Sequence, residues 1–236
     1  MDCQLSWKVC KLSCFLSCYR LGLNKEIREE LLKYANGLGI TELLRHVTSS
    51  GNPLPPGYDH EVPIRDESWY LQRPGAEWSS NLHWLSPGNE IAHNRYLDVL
   101  LSAGFDSILK NIGENMGADG LVAYQLTFIG VNSCQKGNFH TDFANVGGKA
   151  YNVIIPLILV KDSEPELGIQ VTTETGDLKK GRLKYEYEVA PMVGDNLEHA
   201  TSAANYESSG EFRMAATVYI ADVNPSNVDH LVENYT

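Results

Sequence analysis

The sequence lacks any uninterrupted apolar run of the roughly eighteen residues that a membrane-crossing helix requires, and it has no excess of basic charge. Nineteen Lys and Arg face thirty Asp and Glu, a formal charge of −11. That balance repels phosphate backbones and anionic lipid surfaces, so neither nucleic acid nor membrane is expected as a partner. Cysteine is scarce and odd in number, five in all, which does not suggest a disulfide framework. Charged residues are also sparse, 21% against 43% hydrophobic over 236 residues. Disorder of the whole chain is thereby disfavoured, and the chain can bury a sizeable core as one domain or one domain with an appendage.

The cysteines present are unevenly placed: Cys3, Cys10, Cys14 and Cys18 crowd the start and Cys134 stands alone. On a helix Cys10, Cys14 and Cys18 would share one stripe, able to bind metal, carry a lipid or pack, with packing preferred because cysteine is a small, readily buried hydrophobe. The segment "WKVCKLSCFLSCYRLGL" interleaves Lys8, Lys11 and Arg20 with apolar residues and so lacks the apolar centre of a secretory signal. A reducing, cytoplasmic setting is expected, with an N-terminal organellar presequence as the alternative.

The first half reads as helical. Asn24 is placed to cap "KEIREELLKYANG", Thr41 starts a shorter piece "ELLRHV", and two further helices run through "NEIAHNRYLDVLLSAG" and "FDSILKNIGENMG". Between them, residues 49–86 are punctuated by Pro53, Pro55, Pro56, Pro63 and Pro74 and carry Trp69, Tyr70, Trp78 and Trp84. This spacing predicts a long irregular but ordered aromatic loop. Beyond Gly120 the pattern turns to strands: "LVAYQLTFIGV", "YNVIIPLILV", "GIQVTT", "LKYEYEV" and "FRMAATVYIADV". A series of uneven strands without repeats, one of them apolar on both faces, predicts a mainly β protein with a jelly-roll (cupin-like) core buttressed by N-terminal helices. The expected division is a helical support region with its aromatic loop at 1–118, a core at 119–224 and a C-terminal tail at 225–236.

In "GNFHTDF", His140 and Asp142 are two residues apart, so on a strand both project to one side. In "VAPMVGDNLEHATSA" a turn at Gly194 and Asp195 precedes His199 on a short strand. Two histidines and one carboxylate on one face of a metal leave the opposite positions open, the ligand pattern of non-haem iron(II) oxygenases. A fourth residue adds to the set: in "FRMAATVYIADV" Arg213 shares a side with Ala215, Thr217 and Tyr219, while Phe212, Met214, Ala216, Val218 and Ile220 take the other. An arginine pointing into a barrel needs an anion. That anion is either a ligand, such as a dicarboxylate co-substrate, or a structural carboxylate such as Glu198 or Glu211.

The order "HTD", "GDNLEH", "FRMAATVYI", with "PELGIQV" between, resembles the 2-oxoglutarate and iron(II)-dependent oxygenases over roughly residues 120–222. The resemblance implies a double-stranded β-helix, with Fe(II) on His140, Asp142 and His199, the distal carboxylate of 2-oxoglutarate on Arg213, and oxygen as co-substrate. It further implies oxidation, most often hydroxylation, of a small molecule or peptide side chain. Many members of the family carry a Ser or Thr two residues after the arginine; Ala215 stands here, so a second polar contact must come from elsewhere, with Thr217, Tyr219, Tyr124 and Gln125 as candidates. Trp69, Trp78 and Trp84 would be either a lid or ordinary packing, and Arg73 could meet an anionic substrate group. Two other readings remain: a cupin-like metal dioxygenase or isomerase that uses no 2-oxoglutarate and does not need Arg213, and a non-catalytic jelly-roll binding module.

Overall fold

The computed structural model describes the backbone of residues 10–223 except 14–15, 51–60, 65–67, 74–80, 119, 135–136, 138, 144–148, 162, 164, 174, 195–196 and 207–208. The expected C-terminal tail at 225–236 and the residues Cys3, Cys14, Trp78 and Asp195 lie outside the described residues. In chain order the elements begin with strands β1 (Cys10–Ser13) and β2 (Leu16–Gly22), helices α1 (Lys25–Gly37) and α2 (Ile40–Ser50), and strands β3 (Glu61–Ile64), β4 (Ser68–Arg73) and β5 (Asn81–Pro87). Helices α3 (Glu90–Ser102) and α4 (Phe105–Met116) follow. The strands then continue as β6 (Leu121–Cys134), β7 (Ala150–Ile158), β8 (Glu166–Thr172), β9 (Leu178–Lys184), β10 (Val189–Gly194), β11 (Glu198–Thr201), β12 (Ala204–Asn205) and β13 (Arg213–Asp222). No helix among the described residues is long and apolar enough to cross a membrane.

The helices form where caps and apolar spacing agree. The side chain of Asn24 accepts from the Glu26 amide at the start of α1, and Ile27, Leu31 and Ala35 bury one stripe. Asn89 does the same for α3 through the Ala92 amide, with Ala92, Tyr96 and Leu100 beneath. Helix α4 sits between two left-handed glycines, Gly104 and Gly117, a conformation that strongly favours glycine.

Two antiparallel sheets make the double-stranded β-helix core. The larger runs β1-β2-β10-β7-β13-β6-β5-β4-β3, with β12 added beside β6, and the smaller runs β11-β8-β9. Side-chain alternation along β13 divides the molecule. Met214, Ala216, Val218 and Ile220 point into the main core, built with Ile27, Leu31, Tyr96, Leu100 and Ile112 of the helices. Arg213, Ala215, Thr217 and Tyr219 point the other way, into a cavity between the sheets. The two sheets are joined below that cavity by a second cluster of Cys18, Ile154, Leu167, Ile169, Leu183, Val193 and Leu197.

The N-terminal third differs from the sequence-based expectation. Cys10 and Cys18 lie on a strand hairpin rather than a helix, and β2 pairs with β10, from Val189↔Gly22 to Val193↔Cys18. The stretch 49–86 is not wholly irregular, since β3, β4 and β5 extend the large sheet by successive antiparallel pairs. Pro63, read as a breaker, sits in the edge strand β3, where a missing N–H is tolerated. The segment "LKYEYEV" is not one strand: β9 ends at Lys184 and a turn through Glu186 leads into β10.

Candidate metal centre and its cavity

His140 and Asp142 do not stand on a strand. They lie in the connection between β6 and β7, and this connection is pinned by one β-bridge to His199 on β11: the His140 amide donates to the His199 carbonyl at 3.1 Å and the His199 amide donates back at 2.9 Å. Two of the three side chains are therefore brought together by their own backbones. The rings stand 4.7 Å apart, centroid to centroid. Asp142 completes the group, its Oδ1 3.6 Å from His140 Nε2 and its Oδ2 3.4 Å from His199 Nε2. One donor atom from each of the three lies within 4.8 Å of the others.

The electrostatics suit a cation. Burial alone would raise the Asp142 carboxyl. The hydrogen bond with His140, the charge of His199, the amide of Asn152 and the charge of His140 outweigh it and hold the group below its ordinary value, so a carboxylate is present. His199, 5% exposed, is likewise held below its ordinary value, chiefly by burial and further by His140, against the pull of Asp142 and a bond to the Leu197 carbonyl. A neutral imidazole offers the lone pair that a metal needs. Two imidazoles and a carboxylate gathered at one end of an open cavity could hold a first-row divalent metal with further positions left for ligands.

The cavity has a volume of about 310 Å³ and is lined mainly by apolar side chains, among them Trp84, Ile129, Val131, Ile154 and Leu167. Arg213 reaches into it from β13 and is only 5% exposed. Its Nη2 donates to Thr201 Oγ1 at 2.5 Å and to the Ser202 carbonyl at 3.3 Å, and its guanidinium lies 5.7 Å from the Tyr185 ring centroid. Nη1 is buried with no hydrogen-bond partner among the described residues. Neither Glu198 nor Glu211 pairs with it, and Glu198 instead accepts from Gln170 at 2.8 Å. A buried guanidinium without a carboxylate among the described residues is a costly arrangement unless a ligand supplies the anion.

Of the other anticipated residues, Thr217 lines the cavity and shares a 2.5 Å hydroxyl contact with Thr127 across the β13–β6 pair. Tyr124 does not line it; the ring packs with Phe143, Ala150 and Ala221, its centroid 6.1 Å from that of Tyr219. Trp84 faces the cavity from β5. Trp69 and Arg73 are on β4, placed by backbone pairing alone. Three residues escaped the sequence reading. Thr201 and Tyr185 flank Arg213, with Tyr185 held protonated by burial against the opposing influence of Arg213 and a bond to Thr201. Thr201 could have been found, since it is two residues after His199 on the same strand face. Asn152, the third, was signalled as the lone amide in "YNVIIPLILV".

No protein-family model matches the chain, and no curated protein matches it by sequence. Solved structures do match in fold. The non-haem α-ketoglutarate dependent epimerase SnoN from nogalamycin biosynthesis aligns with a TM-score of 0.58 at 12% identity, covering 88% of this chain and 78% of that one. AviO1 from Streptomyces viridochromogenes Tue57 aligns with a TM-score of 0.51 at 16% identity over 88% and 90% of the two chains. SnoK, the non-haem α-ketoglutarate dependent carbocyclase of nogalamycin biosynthesis, gives 0.51 at 11% identity over 89% and 81%. The chain shares the double-stranded β-helix fold with these structures.

Proposed function

We propose that the protein is an Fe(II)- and 2-oxoglutarate-dependent oxygenase that oxidises a C–H bond of a small molecule or peptide side chain, most simply to the alcohol. One observation carries the reading: the three metal-type donors and the unpaired Nη1 of buried Arg213 line the same cavity. The bound metal would supply oxygen activation coupled to conversion of 2-oxoglutarate to succinate and carbon dioxide, with the second oxygen atom passing to the substrate.

His140, Asp142 and His199 are the residues that would hold that metal. Arg213 would grip the distal carboxylate of 2-oxoglutarate by charge-assisted hydrogen bonds, satisfying Nη1. Ala215 offers no second donor, and the hydroxyls of Thr201 and Tyr185 stand beside the guanidinium in place of the missing one. Thr217 is a further polar wall, whereas the position of Tyr124 favours packing. Trp84 and the apolar lining would exclude water from the reacting centre. Two relatives in fold are named as an α-ketoglutarate dependent epimerase and an α-ketoglutarate dependent carbocyclase, so hydroxylation is one of several outcomes this kind of site would serve. The buried thiols of Cys18 and Cys134, which form no disulfide among the described residues, suit a reducing cytoplasmic setting. A cupin-like enzyme without 2-oxoglutarate would leave Arg213 Nη1 without a purpose, and a non-catalytic binding module would not need the three gathered donors.

Anaerobic titration tests this. Adding 2-oxoglutarate to the Fe(II)-loaded protein is expected to produce the visible charge-transfer band of the chelate. Arg213→Ala should raise the 2-oxoglutarate concentration needed for half of that band at least tenfold while Fe(II) affinity stays within twofold. Absence of the band in the wild-type protein, or equal shifts for both ligands, sinks the reading.

A further inference from the structure

Asn152 occupies the central strand β7, held on one side by Val193 of β10 and on the other by Tyr219 of β13. It is 3% exposed and faces the cavity. Its Nδ2 donates to Asp142 Oδ2 at 2.6 Å. Its other end, Oδ1, is buried without a hydrogen-bond partner among the described residues. An amide kept in a sheet for the sake of the fold has both ends satisfied, because an unpaired buried acceptor is destabilising and the residue is readily exchanged for an apolar one. Here neighbours along the same face of the strand, Ile154 and Ile158, show that apolar side chains fit the wall. The one side-chain hydrogen bond of Asn152 among the described residues goes to the carboxylate that stands between the two histidines.

We propose that Asn152 is a positioning residue for the metal: it fixes the rotation of the Asp142 carboxylate by holding Oδ2, so that Oδ1 is presented to a cation shared with His140 and His199. The inference rests on the metal-centre reading above. The rigid sheet matters to the role. Asp142 itself lies in a connection, and a ligand on a connection keeps its direction only if something fixed holds it; β7, paired on both sides, is that fixed element.

The test uses Mn(II), which reports binding without turnover, on the full chain. Wild-type protein is expected to take up one Mn(II), counted from the loss of the free-ion electron paramagnetic resonance signal. Asn152→Leu, nearly isosteric but without a donor, should weaken Mn(II) by ten- to a hundredfold while circular dichroism is unchanged. At saturating Co(II) its ligand-field spectrum should also differ from that of wild type, a change that a residue serving the fold alone does not cause. If Asn152→Leu fails to fold, Asn152→Ala is measured against the same limits. Mn(II) affinity within twofold of wild type in the folded variant, or an unchanged Co(II) spectrum, overturns the proposal and leaves the metal centre standing. Failure of the wild-type protein to bind Mn(II) or Co(II) overturns both.

Discussion

At the scale of single residues, the chemistry-bearing positions announced themselves by being out of place. Arg213 was legible because its strand alternates so strictly that a charge on the cavity side had to be intentional, and the structure keeps it there with one nitrogen unpaired. Thr201 is signalled by the strand face it shares with His199, whereas Tyr185 is not, because its relation to Arg213 depends on the β9–β10 turn meeting β13, a three-dimensional fact with no local signature. His83 is another buried polar group, 1% exposed on β5, facing away from the cavity with its Nε2 3.4 Å from Asn132 Oδ1. Burial pushes its imidazole down to about 4 against a weaker pull from Asn132. The folded state thus binds the proton less readily than the unfolded chain, whose histidine titrates near 6.5. Stability from this residue is complete above pH of about 6.5 and is lost as pH falls toward about 4, on the order of 3 kcal/mol across that window. His83→Gln, which cannot take up the proton, should flatten urea-unfolding stability between those pH values. An identical pH slope in the variant would count against a neutral buried His83.

Elements were read well where a period and a boundary agreed, and badly where a spacing served two periods. The Cys10, Cys14, Cys18 interval of four fits both a helix stripe and one face of a strand, and the pairing that decides it comes from β10, far along the chain. Strand β3 hides behind Pro63 because an edge position removes the usual penalty. The connection bearing His140 and Asp142 has the spacing of a strand, yet its place depends on a close fit. An added Cβ on Gly137 would sit 2.3 Å from the Thr201 carbonyl oxygen and 3.0 Å from the Ala200 Cβ, so the glycine lets this connection press against β11. Gly137→Ala must drive the two apart, separating His140 from His199 and disturbing the Thr201 contact to Arg213. The expected result is a loss of about 1–3 kcal/mol in stability together with at least tenfold weaker Mn(II) binding. Wild-type affinity in this variant would show that the connection adjusts freely and that Gly137 does not set the site.

For the whole molecule, the large sheet separates support from chemistry. Its helical face is closed by α1, α3 and α4 over a continuous apolar core, while its other face meets the small sheet across the cavity. Such a division predicts that stability and metal binding respond independently to damage on the two sides. Leu100 on α3 is fully buried in the helical core, so Leu100→Ala leaves a void there and should remove about 2–5 kcal/mol; measured well below the midpoint of unfolding, Mn(II) affinity should stay within twofold of wild type. Ile169 on β8 is also buried, but it belongs to the cluster between the sheets and sits directly opposite His199 in the β8–β11 pairing. Ile169→Ala should cost a comparable amount of stability and, in addition, weaken Mn(II) at least fivefold, because the strand that carries His199 loses the packing that seats it. The two variants are matched in chemistry and differ in which face they injure. Equal Mn(II) affinities in both would mean that the small sheet is held firmly enough to keep His199 in place without Ile169, and the division of labour between the faces would have to be abandoned.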